Sequence, residues 1–225
     1  MLSINGDKLE KYISTVVDAV YALKNFKISP FINMILSKRE RNIFIYGVGR
    51  SGYIGRCFTM RLMHLGFNAY FIGDSCPSVN KNDLLILISG SGKSEPVNTI
   101  LKNGIKKFGN NIDIAYITYN KYILNYLNDE YGINIKNTNK NNKNNINNNK
   151  NYNNYNKNST NKINNTNSNI LTIILNLPDY DRNIFPMGTL FEITLMVFLD
   201  LTISELMKKL NKSENDIKRK HFNLW

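Results

Sequence analysis

The sequence predicts an α/β protein, with a parallel five-stranded sheet flanked by helices on both faces. Short, almost continuously aliphatic segments alternate with longer segments of helical periodicity, as in parallel sheets that are covered on both sides. Glycine-rich turns directly follow two of the aliphatic segments and open the helices behind them. Because 225 residues suffice for one such domain with a full core, we expect a single domain over residues 1–225.

The predicted strands and helices alternate along most of the chain. Strands are expected at 42–46, 69–72, 84–88, 112–118 and 170–175. Helices are expected at 7–26, after Pro30, and at 51–65, 95–107 and 190–210. In the first helix, five aliphatic residues recur on one face: Leu9, Ile13, Val16, Val17 and Val20.

The helix at 190–210 is apolar almost all the way round. Such a helix is normally buried in the core or against another subunit, so we expect a homo-oligomer and favour a tetramer. A last short helix is expected behind Ser213, with Asp216 three residues further on in a capping arrangement.

Residues 137–169 interrupt this pattern. Asparagine supplies 19 of these 33 residues, and lysine, serine and threonine fill most of the rest. Such a segment buries too little apolar surface to offset the entropy lost on ordering. We interpret it as a disordered insertion in a surface loop of the domain.

The formal net charge of +12 does not indicate a nucleic-acid partner. Five of the lysines lie in the asparagine-rich segment, and no DNA- or RNA-binding signature accompanies the charge. The remaining excess suits a protein that handles a phosphorylated, dianionic metabolite. The apolar runs are too short to span a bilayer, and the sequence shows no secretory leader pattern. It has only two cysteines, Cys57 and Cys76. These observations predict a cytoplasmic protein without a membrane partner.

The first glycine-rich loop, GVGRSG at 47–52, follows a predicted strand and opens a helix. It matches the dinucleotide-binding pattern GxGxxG, and Asp74 lies where an acid that binds the ribose is expected. Arg50 and Ser51, however, occupy the crown of the loop, where a pyrophosphate requires close approach to the backbone. Because the pattern also suits any glycine turn before a helix, a nicotinamide enzyme stays an alternative on this loop alone.

The second loop, SGSGKSEP at 89–96, points more directly to a phosphate. Three serine hydroxyls on a glycine-rich turn can converge with the N–H groups of the helix N-terminus, and all of these groups favour an anion. Its GKS ending matches part of a nucleotide P-loop, but that motif requires a glycine at the position of Leu87. ATP or GTP binding is therefore not expected, and a plain capped turn is the structural alternative.

Together, a strand ending in SGSGKSE and a preceding GVGRSG loop resemble the phosphosugar-binding signature of SIS (sugar isomerase) domains. The segments IFIYGVGRSGYIGRCFTMRLMHLGFNAYFIG, PMGTLFEITLMVFLD and KRKHFNLW narrow the resemblance to 6-phospho-3-hexuloisomerases, over the whole chain except the asparagine-rich segment. The resemblance implies a single SIS domain whose phosphate-binding residues are Ser51, Ser89, Gly90, Ser91, Gly92, Lys93 and Ser94. We expect Arg50 to contact the substrate as well, although it could instead pair with a surface acid.

The resemblance also implies a reaction: the interconversion of D-arabino-hex-3-ulose 6-phosphate and fructose 6-phosphate in the ribulose monophosphate pathway. Moving a carbonyl between neighbouring carbons requires a base that takes a proton from carbon and a group that polarises the carbonyl. The intermediate is a cis-enediol, and neither a metal nor a redox cofactor is required. A carboxylate whose pKa is raised by burial suits the role of base.

Two residues are candidates for the catalytic groups. The resemblance implies that Glu192, at the start of the apolar helix, is the proton acceptor. Thr189 and Glu192 also fit a capping box, in which the glutamate would only tie down the helix end. His221 could polarise the carbonyl or move a proton between oxygens, in its own or a neighbouring subunit's cleft. A solvated tail histidine is the alternative.

Two further functions are compatible with the sequence. One is a phosphosugar-sensing SIS module that binds without turnover, although no DNA-binding region of the kind joined to such modules is present in these residues. The other is an isomerase of a different sugar phosphate, such as arabinose 5-phosphate, although the regulatory repeats familiar in that enzyme are not found here.

Overall fold

The computed structural model describes residues 5–131, 136–137 and 169–219. Its strands are β1 (Asn42–Gly47), β2 (Asn68–Phe71), β3 (Leu84–Ile88), β4 (Asp113–Thr118), β5 (Lys136–Asn137) and β6 (Asn169–Ile174). They pair in parallel in the order β2-β1-β3-β4-β6-β5. The predicted parallel five-stranded sheet is confirmed, each strand within one residue of its expected bounds, and the two-residue β5 extends one edge.

The helices are α1 (Gly6–Tyr21), α2 (Ser29–Leu36), α3 (Gly49–Leu65), α4 (Glu95–Phe108), α5 (Tyr122–Tyr131), α6 (Thr189–Lys209) and α7 (Glu214–Lys218). The predicted cap of α7 is confirmed, because Ser213 Oγ accepts from the Asp216 N–H at 3.2 Å and the Asp216 carboxylate accepts from the Ser213 N–H at 2.8 Å. The sequence prediction missed α5, which buries Ile123 and Leu127.

The sheet is covered by helices on both faces, as expected. Alternate residues of β3 enter two different cores: Leu84, Ile86 and Ile88 pack with residues of α2, α3 and α6, whereas Leu85 and Leu87 pack with residues of α4 and α5. The all-aliphatic sequence of β3 is thereby explained, because side chains point alternately to the two faces of a strand and both faces are buried here.

The side of helix α1 that is buried is not the face predicted from the spacing of its aliphatic residues. Leu9, Ile13 and Val17 are 44%, 53% and 56% exposed, whereas Ala19 is fully buried and Val16 packs beside it. Apolar residues cover more than one side of this helix, so periodicity alone does not determine which side faces the core. The buried side of α1 contacts α6.

The asparagine-rich segment lies almost entirely outside the described residues. Of the predicted insertion at 137–169, only its two ends are described: Asn137 ends β5 and Asn169 begins β6. Within the described part of the chain, no helix is both long and apolar enough to cross a membrane.

Candidate active site

A cleft of about 610 Å³ opens at the carboxyl edge of the sheet. Its floor and one side are formed by the first loop (47–52), which follows β1, and by the serine loop (89–94), which follows β3. The opposite side comes from Tyr119 behind β4 and from the segment 180–192 behind β6. Because all the strands are parallel, these four connections meet at one edge, which is the usual position of a ligand site in an open α/β sheet.

The serine loop presents hydroxyl groups and a helix N-terminus to the cleft. Ser91 Oγ accepts from the Lys93 N–H at 3.2 Å, so the hydroxyl hydrogen of Ser91 is available to donate to a ligand. Ser94 is the N-cap of α4, but its side chain makes no capping hydrogen bond and is therefore available too. The positive dipole end of α4 lies at the same place, which favours a bound anion.

Ser89 differs from the other serines of this loop because it is buried. The residue is 4% exposed, although it still lines the cleft. On the neighbouring strand, the buried Tyr116 hydroxyl donates to Asn98 Oδ1 at 2.7 Å, and burial raises the pKa of Tyr116 to about 12. Ser89 therefore offers less of its side chain to a ligand than Ser91 and Ser94 do.

Most of the predicted phosphate-binding residues line the cleft, and two do not. Those on its wall are Ser51, Ser89, Gly90, Ser91 and Ser94, together with Arg50. Gly92 lies in the turn behind them at φ +68°, a conformation that glycine adopts without strain. The Lys93 ammonium lies 4.9 Å from the centre of the Tyr122 ring on α5, and Lys93 is not among the lining residues.

Close packing explains the glycine pattern of the first loop. A Cβ atom on Gly52 would lie 2.5 Å from the carbonyl oxygen of Gly47, so the N-terminal turn of α3 approaches β1 too closely for any side chain. Asp74 is bound by Arg56 at 3.0 Å and does not line this cleft. Close packing therefore explains the glycines, and the ion pair with Arg56 explains Asp74, so neither feature indicates dinucleotide binding.

Arg50 of the first loop reaches across the cleft to α6. Its Nη2 lies 2.7 Å from Glu192 Oε2, and its Nη1 donates to Thr189 Oγ1 at 3.2 Å. The capping box considered for Glu192 is wrong, because Gly188 is the N-cap of α6 and makes no side-chain cap. The acid partner of Arg50 is a cleft residue with 10% of its side chain exposed, not a surface acid.

The environment of Glu192 suits a proton acceptor. Burial raises the pKa of its carboxyl above the ordinary value of 4.5, and the positive charge of Arg50 acts in the opposite direction. A carboxylate in this setting binds a proton more readily than a solvated one. His221, the second predicted catalytic residue, lies outside the described residues.

The sequence did not reveal several residues of the opposite wall. Tyr180 and Arg182 come from the irregular segment between β6 and α6, where no periodicity or motif marks them, and Met187 lies in a segment that the sequence marked without assigning it a place in the site. Burial raises the pKa of Tyr180. Met187 is 95% exposed at φ 52°. The only signal in the sequence for Tyr180 and Arg182 was that this segment connects the end of a strand to the helix that carries Glu192.

Comparison with known proteins identifies the family. A model of the SIS domain matches residues 35–122. The chain is 36% identical to 3-hexulose-6-phosphate isomerase of Methanocaldococcus jannaschii, over 96% of this chain and 98% of that protein. The chain belongs to the 3-hexulose-6-phosphate isomerase family. This is another name for the 6-phospho-3-hexuloisomerases, so the predicted membership is confirmed, and the chain is a sugar-phosphate isomerase.

Other members support the assignment to this isomerase family. The 3-hexulose-6-phosphate isomerase of Bacillus subtilis is 26% identical, over 96% of this chain and 99% of that protein. A crystal structure from Methanococcus jannaschii, which led to an inferred molecular function of 3-hexulose-6-phosphate isomerase, is 34% identical and superposes with a TM-score of 0.67. That comparison covers 97% of this chain and 99% of the other.

Proposed function

We propose that this isomerase interconverts D-arabino-hex-3-ulose 6-phosphate and fructose 6-phosphate through a cis-enediol, in the cytoplasm and as a step of the ribulose monophosphate pathway. The observation that carries the proposal is that a buried carboxylate, Glu192, lines the same cleft as a loop of serine hydroxyls at the N-terminus of a helix. The names of the M. jannaschii and B. subtilis relatives support the choice of substrate.

In this proposal the serine loop binds the phosphate. The hydroxyls of Ser91 and Ser94 donate to phosphate oxygens, and the N–H groups at the start of α4 add further donors. Ser51 donates from the first loop. Binding at one end of the cleft fixes the sugar so that its reacting carbons lie near Glu192, and this positioning is itself a large part of catalysis.

Glu192 carries the proton between carbons. Starting from the 3-ulose, it removes the proton from C2, the electron pair forms the C2–C3 double bond, and the C3 carbonyl oxygen takes up a proton to give the enediol. Return of the proton to C3, with loss of the proton on the C2 oxygen, produces the 2-ketose. Arg50, which contacts Glu192 in the cleft, is placed to stabilise negative charge that develops on these oxygens. We propose His221 as the group that moves the proton between the two oxygens.

Turnover of the purified protein on hex-3-ulose 6-phosphate tests this function directly, with fructose 6-phosphate measured through a coupled dehydrogenase. Arabinose 5-phosphate serves as the parallel substrate, and both assays are run with and without a chelator. We expect turnover of the hexulose alone, unaffected by the chelator. Turnover of arabinose 5-phosphate alone would contradict the substrate, and binding of the hexulose without turnover would favour a sensing module.

We further propose that a single SIS domain spans residues 1–225, with 137–169 as a disordered insertion, and that the protein is a homotetramer. Leu9, Ile13 and Val17 on α1 are exposed apolar residues that a subunit contact would cover. Sedimentation equilibrium should give four times the chain mass of 26.0 kDa. A monomer in solution would contradict the oligomer.

A further inference from the structure

The backbone carbonyl groups of the serine loop are hydrogen-bonded to side chains that lie behind it. The Gly90 carbonyl oxygen accepts from Thr118 Oγ1 at 2.8 Å, and the Gly92 carbonyl oxygen accepts from Asn98 Nδ2 at 3.2 Å. Neither Thr118 nor Asn98 lines the cleft. Both carbonyls therefore point away from the place where a ligand would bind.

Thr118 joins the serine loop to the next connection of the sheet. Its side chain is fully buried at the end of β4. Besides donating to Gly90, the same hydroxyl accepts from the Asn120 N–H at 3.0 Å. One side chain thus uses both its donor and its acceptor to hold two neighbouring loops at the cleft edge.

Asn98 is held in a single orientation by its two partners. A carbonyl oxygen only accepts, so the amide nitrogen of Asn98 must face Gly92 and its oxygen must face Tyr116. Tyr116 is fully buried on β4 and donates to that oxygen at 2.7 Å. Tyr116 and Asn98 thus connect the buried strand β4 to the Gly92 end of the serine loop.

The orientation of these carbonyls determines whether the loop presents N–H groups, with partial positive charge, or carbonyl oxygens, with partial negative charge, to a ligand. In a trans peptide the N–H points opposite to the C=O, so an inward Gly90 carbonyl directs the Ser91 N–H outward. A reversed peptide would present a carbonyl oxygen instead, and partial negative charge repels a phosphate. Successive N–H groups that point into a concave turn bind anions.

We propose that Thr118, Asn98 and Tyr116 are positioning residues, which hold the serine loop in its anion-binding form without touching the substrate. The proposal rests on the proposed function, since it assigns the phosphate of the sugar to this loop. Loss of one of these hydrogen bonds should weaken phosphate binding. Proton transfer at Glu192, which lies on another element, should proceed at nearly the same rate.

Threonine variants give a matched test. Thr118→Val removes the hydroxyl at nearly constant shape, and Thr118→Ser restores it. Thr172→Val is the control: Thr172 is equally buried on the neighbouring β6, and its hydroxyl has no hydrogen-bond partner among the described residues. Calorimetry gives the Kd for inorganic phosphate, steady-state kinetics give KM and kcat for hex-3-ulose 6-phosphate, and thermal unfolding gives Tm.

We expect Thr118→Val to raise the phosphate Kd and the KM about tenfold, the effect of one lost hydrogen bond, with a smaller change in kcat. Thr118→Ser should stay close to the native protein, and Thr172→Val should leave Kd and KM unchanged. Tyr116→Phe should shift Kd in the same direction by less, and it serves as the test if Thr118→Val does not fold.

Equal phosphate Kd values for Thr118→Val, Thr172→Val and the native protein would overturn the positioning role. This result is distinguishable from failure of the proposed function. A native protein whose phosphate Kd depends on the Thr118 hydroxyl but which does not convert the hexulose would contradict the reaction and leave the positioning role in place. A native protein that binds neither phosphate nor the hexulose would overturn both.

Discussion

The two loops that form the cleft occupy equivalent places behind neighbouring strands, yet they are held in different ways. The first loop is fixed by contact between glycines, because Gly52 lies directly against Gly47. The serine loop is held by hydrogen bonds from the side chains of Thr118 and Asn98 behind it. Backbone hydrogen bonds add to these, such as the one from the Tyr119 N–H to the Gly90 carbonyl at 3.3 Å. The first loop presents an arginine side chain to the cleft, whereas the serine loop presents hydroxyl groups and the N-terminus of a helix. Loops of similar glycine content at one sheet edge can therefore serve different chemistry.

This difference suggests that the two loops have different roles in the reaction, which experiments can distinguish. Arg50 of the first loop contacts the candidate base on α6, so changes there should alter the rate and its pH dependence. The serine loop faces the position assigned to the phosphate, so changes there should alter KM. Each prediction below tests one side of this difference.

The largest effect is expected at the candidate base. Glu192→Gln should lower kcat on the order of a hundredfold or more, because a neutral amide cannot accept the proton. Its Kd for inorganic phosphate should match that of the native protein. Glu205→Gln is the control, since Glu205 lies on the same helix but is paired with Lys208 on the surface. Undiminished turnover in Glu192→Gln would refute the assignment of the base.

A second effect is expected in the serine loop. The double variant Ser91→Ala/Ser94→Ala should raise KM by on the order of tenfold to a hundredfold, because two hydrogen bonds to a charged group are lost. Ser89→Ala should raise KM less, since Ser89 is buried and offers less of its side chain to the cleft. Steady-state kinetics of the variants measure both. If Ser89→Ala had the greater effect, the assignment of donors in this loop would be wrong.

Glycine substitutions distinguish the two ways in which the loops are held. Gly52→Ala should lower the free energy of unfolding by about 3 kcal/mol, because its Cβ would overlap the Gly47 carbonyl and both groups are backbone. Gly92→Ala should cost about 1–2 kcal/mol, the strain of a left-handed conformation, since its Cβ would find space. Gly6→Ala, with no atom within 4 Å of the new Cβ, is the control. Urea unfolding monitored by circular dichroism gives all three values, and equal losses at Gly52 and Gly92 would contradict this distinction.

The smallest effect concerns the pH dependence of the rate. The base must be ionised to act, so the acidic limb of kcat/KM follows the pKa of Glu192, which burial raises above 4.5. The charge of Arg50 lowers that pKa, so Arg50→Gln should move the acidic limb to higher pH. Arg56→Gln, on the same helix but paired with Asp74, should leave the limb in place. A limb that moves to lower pH in Arg50→Gln would be inconsistent with the ion pair in the cleft.

The sheet and the two loops were predictable because their signals are local. A strand buried on both faces reads as a continuous aliphatic run, as in β3, and a glycine-rich turn behind it marks the edge where ligands bind. Helix α6 was equally clear from its apolar composition. In contrast, the sequence of α1 did not reveal its buried side, since apolar residues lie on adjoining faces.

Contacts between distant parts of the chain were not predictable. Arg50 and Glu192 belong to segments that the sequence alone does not bring together, and without that pair a capping box was an equally good explanation of Glu192. The roles of Thr118, Asn98 and Tyr116 were not predictable either, because their hydrogen bonds form only when β4 and α4 flank the serine loop. Tyr180 and Arg182 lie in an irregular segment, whose course depends on packing and not on local propensity.

The strand order also has a consequence for how the protein is made. In the finished sheet, β4 lies between β3 and β6, but residues 119–168 are synthesised between β4 and β6. Translation at roughly 5–20 residues per second makes this stretch in about three to ten seconds. For that time the nascent chain holds both loops of the cleft, but β4 has an unpaired edge of the kind that promotes aggregation. The interval before β6 emerges is therefore when a ribosome-associated chaperone would have most to protect.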